Sequence, residues 1–128
     1  MPKGYKWCRG GRKHGRGRPC FYRNISKIPK AEGFKPIASK ILPRSSEKIQ
    51  HADPIYLFLD ELEAMRLVDG ENLTQDEAGN LMGISRGSIW RLLQSGRRKV
   101  IQAIFEKREI RIPLDAIEDS DETEIIQL

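Results

Sequence analysis

Hydrophobic positions are sparse up to residue 54 and clustered beyond it. Ile55 to Leu59 is short, apolar and aromatic, which predicts a strand or an extended lead-in. Asp60-Glu61-Leu62-Glu63 then opens a first helix, with Asp60 as the expected cap and Glu63 completing a capping box. Leu62, Met65, the Arg66 stem and Val68 give its apolar stripe, and Gly70 ends it. Thr74-Gln75-Asp76-Glu77 is a second capping box, followed by Ala78, Leu81 and Met82 in a short helix that Gly83 stops. Ser85 caps a third helix. Its apolar positions Ile89, Leu92, Leu93, Val100, Ala103 and Ile104 advance by steps of 3, 1, 7, 3 and 1, which is helical spacing. It is expected to run to about Glu106, with Gly96 in its middle costing roughly 1 kcal/mol relative to Ala. Ile110-Arg111-Ile112 predicts a short extended segment.

The flanks read differently. Residues 1–24 are dominated by Gly, Lys and Arg, and the stretch from Gly10 to Pro19 has nothing to bury. They read as a disordered basic arm. Residues 25–54 stay basic and carry Pro29, Pro36 and Pro43, which discourage helix. They read as an extended basic connector whose Ile28, Phe34, Ile37, Ile41 and Leu42 staple it onto a core. Residues 113–128 read as a flexible acidic tail. The fold class is therefore mainly α: a three-helix helix-turn-helix domain at residues 55–112, with an extended basic N-terminal arm and a flexible acidic C-terminal tail.

Composition sharpens this. The chain has 128 residues, 38% hydrophobic and 32% charged, too lean for a core spread over its whole length. Residues 1–50 hold 14 basic and 2 acidic residues, net +12; residues 51–112 hold 9 and 10, net −1; residues 113–128 hold none and 6, net −6. A basic arm, a balanced middle and an acidic tail are the layout of a nucleic-acid-binding protein. No apolar run approaches the roughly 20 residues of a membrane helix, and the basic N-terminus lacks the apolar segment of a signal peptide. Cys8 and Cys20 are the only cysteines, so no dense disulfide framework exists, and a reducing cytoplasm is the expected location. Cys8, His14, Cys20 and His51 match no paired Cys-x-x-Cys zinc pattern, and no metal or other cofactor is expected. No nucleophile–base pairing or phosphate-cradling loop points to an enzyme.

The informative constellation is Leu73 to Leu92. Two short helices that meet at a steep angle need one backbone to approach the other, hence a small residue in the first helix, here Gly79. The turn needs a residue tolerant of positive φ, here Gly83. Ala78, Met82, Ile84, Ile89 and Leu92 fill the angle between the helices. Arg86, Ser88, Arg91 and Gln94 then face outward, as on a recognition helix that enters the major groove by its N-terminal half.

Three stretches of sequence resemble one family: Leu59-Asp60-Glu61-Leu62-Glu63-Ala64-Met65-Arg66-Leu67, the segment above, and Gly96-Arg97-Arg98-Lys99-Val100. It is an uncharacterised family of small predicted DNA-binding proteins of bacteria and archaea, whose helix-turn-helix is similar to sigma-factor region 4. Arg18-Pro19-Cys20-Phe21-Tyr22-Arg23-Asn24-Ile25 and Phe34-Lys35-Pro36 resemble its N-terminal part, so the resemblance covers about residues 18–112. Gly79 and Gly96 depart from it, standing where relatives usually have Ala. Both are expected to loosen their helices.

The expected function is a sequence-specific DNA-binding transcriptional regulator. Arg86 and Arg91 are the candidates for base contact, because Arg pairs bidentately with guanine. Ser88 and Gln94 read bases or hold phosphates. Thr74 and Gln75, at a helix start, face phosphate, and Ser85 sits at the next such start. Arg97, Arg98 and Lys99 contact phosphates further along or form a solvated helix face. Trp90 either touches thymine methyls or packs under the connector or a second subunit, with packing favoured. In the arm, Gly15-Arg16-Gly17-Arg18-Pro19 offers Arg16 and Arg18 to an A·T minor groove or, as a generic basic segment, to phosphates. Trp7, Phe21 and Tyr22 offer surfaces for stacking single-stranded bases. The expected partners are double-stranded DNA and a second subunit in a homodimer, with Val100, Ile104 and Phe105 as the interface. The alternative is a nonspecific nucleic-acid-binding or RNA-polymerase-interacting module that uses the basic arm.

Overall fold

A computed structural model describes residues 4–9, 22–38, 41, 53–114 and 117–119. These form β1 (Tyr5–Trp7), β2 (Arg23–Ile25), β3 (Gly33–Phe34), β4 (Ile55–Tyr56), α1 (Leu59–Met65), α2 (Gln75–Met82), α3 (Arg86–Glu106), β5 (Ile110–Arg111) and β6 (Ile117–Asp119). α1 continues into a π-helical stretch at Arg66–Gly70. Three helices thus dominate, with a few small strands around them. Among the described residues no helix is long and apolar enough to cross a membrane.

The two capping signals around the central turn act as expected. Thr74 Oγ1 accepts from the Glu77 N–H at 3.1 Å, and the Glu77 carboxylate accepts from the Thr74 N–H at 2.9 Å. α2 ends at Gly83, whose φ of +72° is left-handed and free of strain only in glycine. Ser85 Oγ accepts from the Ser88 N–H at 3.1 Å and starts α3. α1 departs from expectation, starting two residues early. The Ile55 and Leu57 amides bond to the carbonyls of Glu109 and Arg111, which hold the chain extended up to Phe58. The turn into helix falls there, and Asp60 lies inside the first turn instead of capping it. Glu61 reaches back instead and accepts from the Phe58 N–H at 2.9 Å.

Two three-stranded sheets frame the helices. One has the order β2-β1-β6, antiparallel throughout; the other has the order β3-β5-β4, with β4 parallel to β5. The first sheet overturns the expectation of a wholly disordered arm over residues 1–24. Along β1 and β2 alternate side chains turn inward, and Trp7 and Ile25 are buried in the same core as Leu59, Met82, Ile89 and Leu93. Trp7 is therefore no stacking platform for bases, although Tyr22 is exposed. Residues 117–119 pair with β1, so this part of the acidic tail is not free. Cys8 is disulfide-bonded, which departs from the reduced thiols of the expected cytoplasm. The chain's other cysteine, Cys20, lies outside the described residues, as do His14 and His51.

Several apolar residues expected inside are outside. Phe34, Ile37 and Ile41 are exposed and do not staple the connector, and Leu81 faces solvent. Leu42 lies outside the described residues. In α1 the centre of the buried face is Leu59, Ala64 and Leu67, with Leu62, Met65 and Val68 at its margin. What fills the rest of that face is charge. Asp60, Glu61 and Glu63 are all buried. Asp60 pairs with Arg9 and Arg23, each at 3.2 Å. Glu61 pairs with Lys99 at 2.8 Å and accepts a short hydrogen bond from Ser95. Glu63 accepts from the Ser26 amide and hydroxyl at 2.9 and 2.6 Å and from Arg66.

The departures at Gly79 and Gly96 have a packing reason. A Cβ on Gly79 would lie 2.7 Å from the Ile84 carbonyl oxygen, and one on Gly96 would lie 2.6 Å from Met65 Sδ and 3.3 Å from the Glu61 Cβ. Both glycines let helices approach closely, one at the α2–α3 turn and one where α3 crosses α1.

Two outcomes follow from this packing. Gly79→Val forces a branched side chain against backbone and should lower stability by about 2 kcal/mol or more, read as a shifted urea midpoint at unchanged slope. Burial raises the Asp60 carboxyl above its ordinary range, against the downward pull of Arg9 and Arg23. The folded chain then binds this proton more tightly than the unfolded one. Its contribution to stability is full below the unfolded pKa and is lost as pH rises through the folded one. Relative to Asp60→Asn, the chain should therefore lose stability as pH is raised from about 3 to 7. A relative gain in urea titrations would show that the arginines outweigh burial.

Candidate nucleic-acid interface

α3 is 21 residues long, and its first half carries Arg86, Ser88, Trp90, Arg91 and Gln94 of the predicted contact residues. Gly83 and Ser85 fix the angle at which it leaves α2, and Ile89, Leu92 and Leu93 bury its inner face. The remaining positions point outward. Arg86, Trp90, Arg91, Gln94, Arg97 and Arg98 are exposed and Ser88 is half-buried. At 100° per residue, Arg86, Trp90, Arg91, Gln94, Arg97 and Arg98 fall on one continuous stripe. The first turn of α3 holds no acidic side chain, so the partial positive charge of the helix start is unopposed there.

The basic residues divide by what already holds them. Arg86, Arg91 and Arg98 have no ion-pair partner among the described residues. Arg97 forks onto Asp69 at 2.7 and 3.1 Å, and that hydrogen bond raises its pKa further. Lys99 does not belong to the interface. Its ammonium donates to the Tyr56 carbonyl and to Glu61, both at 2.8 Å, and sits 4.6 Å from the centre of the Phe58 ring. The helical period carries it to the side of α3 that packs on α1.

Two further expectations change. Thr74 spends its hydroxyl and amide on the reciprocal cap with Glu77, and Gln75 is half-buried. Asp76 and Glu77 add negative charge at that helix start, which disfavours phosphate there. Trp90 is 52% exposed. Arg16 and Arg18 lie outside the described residues.

Two features escaped the sequence reading. Asn24 in β2 donates to the Leu81 carbonyl at 3.4 Å and lies 3.2 Å from where a Gly83 Cβ would be. The β1–β2 pair is thus seated beside the α2–α3 turn, and the basic residues 10–21 join its two strands. Leu81, also exposed, borders that turn. No short-range signal announces either, because both depend on a pairing between distant segments.

Residues 11–116 match the family model described as "Protein of unknown function DUF134". The chain is 47% identical over 98 residues to a UPF0251 protein of Pyrococcus furiosus, covering 77% of this chain and 84% of that one. It is 48% identical over 80 residues to a UPF0251 protein of Thermococcus kodakarensis, covering 62% and 71%. A UPF0251 protein of Chlorobium chlorochromatii is 38% identical over 101 residues, covering 79% and 52%. No solved structure matches the chain.

The division of the basic residues predicts opposite behaviour for neighbours. Lys99→Met should destabilise the fold by about 2 kcal/mol, because it leaves the buried Glu61 without its cation. Arg98→Ala should leave the melting temperature within about a degree, as surface substitutions do. Thermal unfolding of the two variants checks both.

Proposed function

The chain belongs to this family of unknown function, and from its own geometry we propose that it is a sequence-specific, double-stranded-DNA-binding regulator of transcription that reads the major groove through a helix-turn-helix formed by α2 and α3. The observation that carries this reading is the exposed first half of α3. Arg86 and Arg91 have no ion-pair partner among the described residues, while Arg97 and Lys99 further along are drawn into ion pairs. An unpaired guanidinium on a rigid, outward helix face presents a fork of donors that fits guanine O6 and N7. Ser88, Trp90 and Gln94 complete the reading surface, with Trp90 offering an apolar face to thymine methyls. Arg98 supplies a phosphate contact.

The position of the β1–β2 pair supports a role for the basic segment. Its C-terminal end leads into β2, which Asn24 seats beside the α2–α3 turn, so Arg16 and Arg18 stay within about 20 Å of Tyr22 whatever path the chain takes. They reach phosphates or a minor groove next to the base pairs that α3 reads.

Selection from a random duplex library tests the reading. The expected outcome is an enriched motif bound at least about a thousandfold tighter than scrambled duplex. Arg86→Ala or Arg91→Ala should each cost roughly 1–3 kcal/mol on that motif and relax the preference at one position. Uniform loss on all sequences, tracking salt alone, would instead support the nonspecific alternative.

A further inference from the structure

The outward stripe of α3 changes chemistry part-way along. Through Arg98 it is cationic and polar; beyond it come Ile101, Ile104 and Phe105, which are 55%, 66% and 83% exposed. Their steps of 3 and 1 are those of a helix stripe that packs. Across from them the chain lays down Phe34 and Ile37, 65% and 90% exposed. An open groove of about 370 Å³ runs between Phe34, Pro36 and Ile37 on one side and Ala103, Ile104 and Phe105 on the other. These five exposed side chains leave on the order of 600 Å² of surface in water, at the upper end of what a monomer exposes as one apolar patch and approaching the roughly 800 Å² each partner gives a stable interface.

We propose that this face is where a second copy of the chain docks, giving a two-fold homodimer. A two-fold interface must fit itself, so one patch has to carry both a projection and a recess. Phe105 is the projection and the groove beside it is the recess, so the Phe105 ring of each copy fills the groove of the other. Of the cations at the rim, Arg108 is already held within one copy: it pairs with Glu106 at 3.0 Å and donates to the Asp53 carbonyl at 2.8 Å, so its charge is compensated before a second copy arrives.

The dimer does not depend on the DNA reading, but it deepens it. Ile104 lies 14 residues beyond Trp90, or about 21 Å along the helix axis. Two such arms from a shared two-fold place the reading segments no more than about 45 Å apart. That span admits half-sites one helical turn apart, about 34–36 Å, and excludes two turns.

Sedimentation velocity of the full chain across the micromolar range, without DNA, tests the proposal. A species of twice the chain mass is expected. Phe105→Glu and Ile104→Glu each change an exposed side chain and should leave the circular dichroism spectrum unchanged while weakening self-association at least about tenfold, as interface anchors do. Leu81→Ser, an exposed apolar residue outside this face, should leave the dimer intact. A chain that stays monomeric throughout, or a dimer that survives both glutamates, overturns the proposal. A dimer that meets these criteria but enriches no duplex sequence leaves it standing and removes the DNA reading alone.

Discussion

Three buried carboxylates on a single turn of helix hold the structure together. Asp60, Glu61 and Glu63 are nearly inaccessible to water, and a carboxylate in that position is tolerable only with partners on every side. Each finds them in a different part of the chain. Asp60 takes Arg9 and Arg23 from the first sheet, Glu61 takes Ser95 and Lys99 from α3, and Glu63 takes Ser26 from the connector together with its own helix's Arg66. Phe58 joins two of these systems, with the Arg9 guanidinium 4.2 Å and the Lys99 ammonium 4.6 Å from its ring centre. α1 is therefore a hub whose specificity comes from charge and whose stability comes from the apolar cluster around it. Apolar groups would pack in many registers, whereas each of these carboxylates accepts one set of donors.

This hub explains what could be read from the sequence and what could not. The central turn was legible because its signals are local: Thr74 and Glu77, Gly83 and Ser85 act within a few residues of themselves, and the structure uses each as expected. The buried acids of α1 were misread for the complementary reason. Asp60 and Glu63 at spacing three have the form of a capping box, and only the distant Arg9, Arg23 and Ser26 show that they face inward. Trp7 and Ile25 were hidden in the same way, since three-residue strands in a Gly- and Arg-rich setting leave no period to detect. Lys99 is the sharpest case for the interface. In sequence it continues the Arg97-Arg98 run, yet the helical period turns it towards Glu61 and away from solvent.

The glycines show a further limit of local reasoning. By propensity alone Gly96 weakens α3. In place it removes the atom that would collide with Met65 and the Glu61 Cβ, so α3 lies close enough to α1 for Ser95 and Lys99 to reach the same carboxylate. A loss of helix propensity on one element is offset by contacts between two. Gly79 does the same at the turn, where the obstacle is the backbone carbonyl of Ile84.

One helix thus carries two different surfaces whose separation is set by its rigidity. The inner face of α3 is pinned at three levels: by Ile89 and Leu93 in the core, by Gly96 against Met65, and by Ser95 and Lys99 on Glu61. Because those anchors span the middle of the helix, its two ends cannot move independently. The angle at which Arg86 and Arg91 project is tied to that of Ile101, Ile104 and Phe105, roughly 20 Å away along the axis. Anything that fixes the apolar end in space also fixes the basic end. A rigid element with a basic half and an apolar half ties the geometry of any contact made at one to the geometry of any contact made at the other. A disordered basic arm on a small helical bundle has no means of doing so.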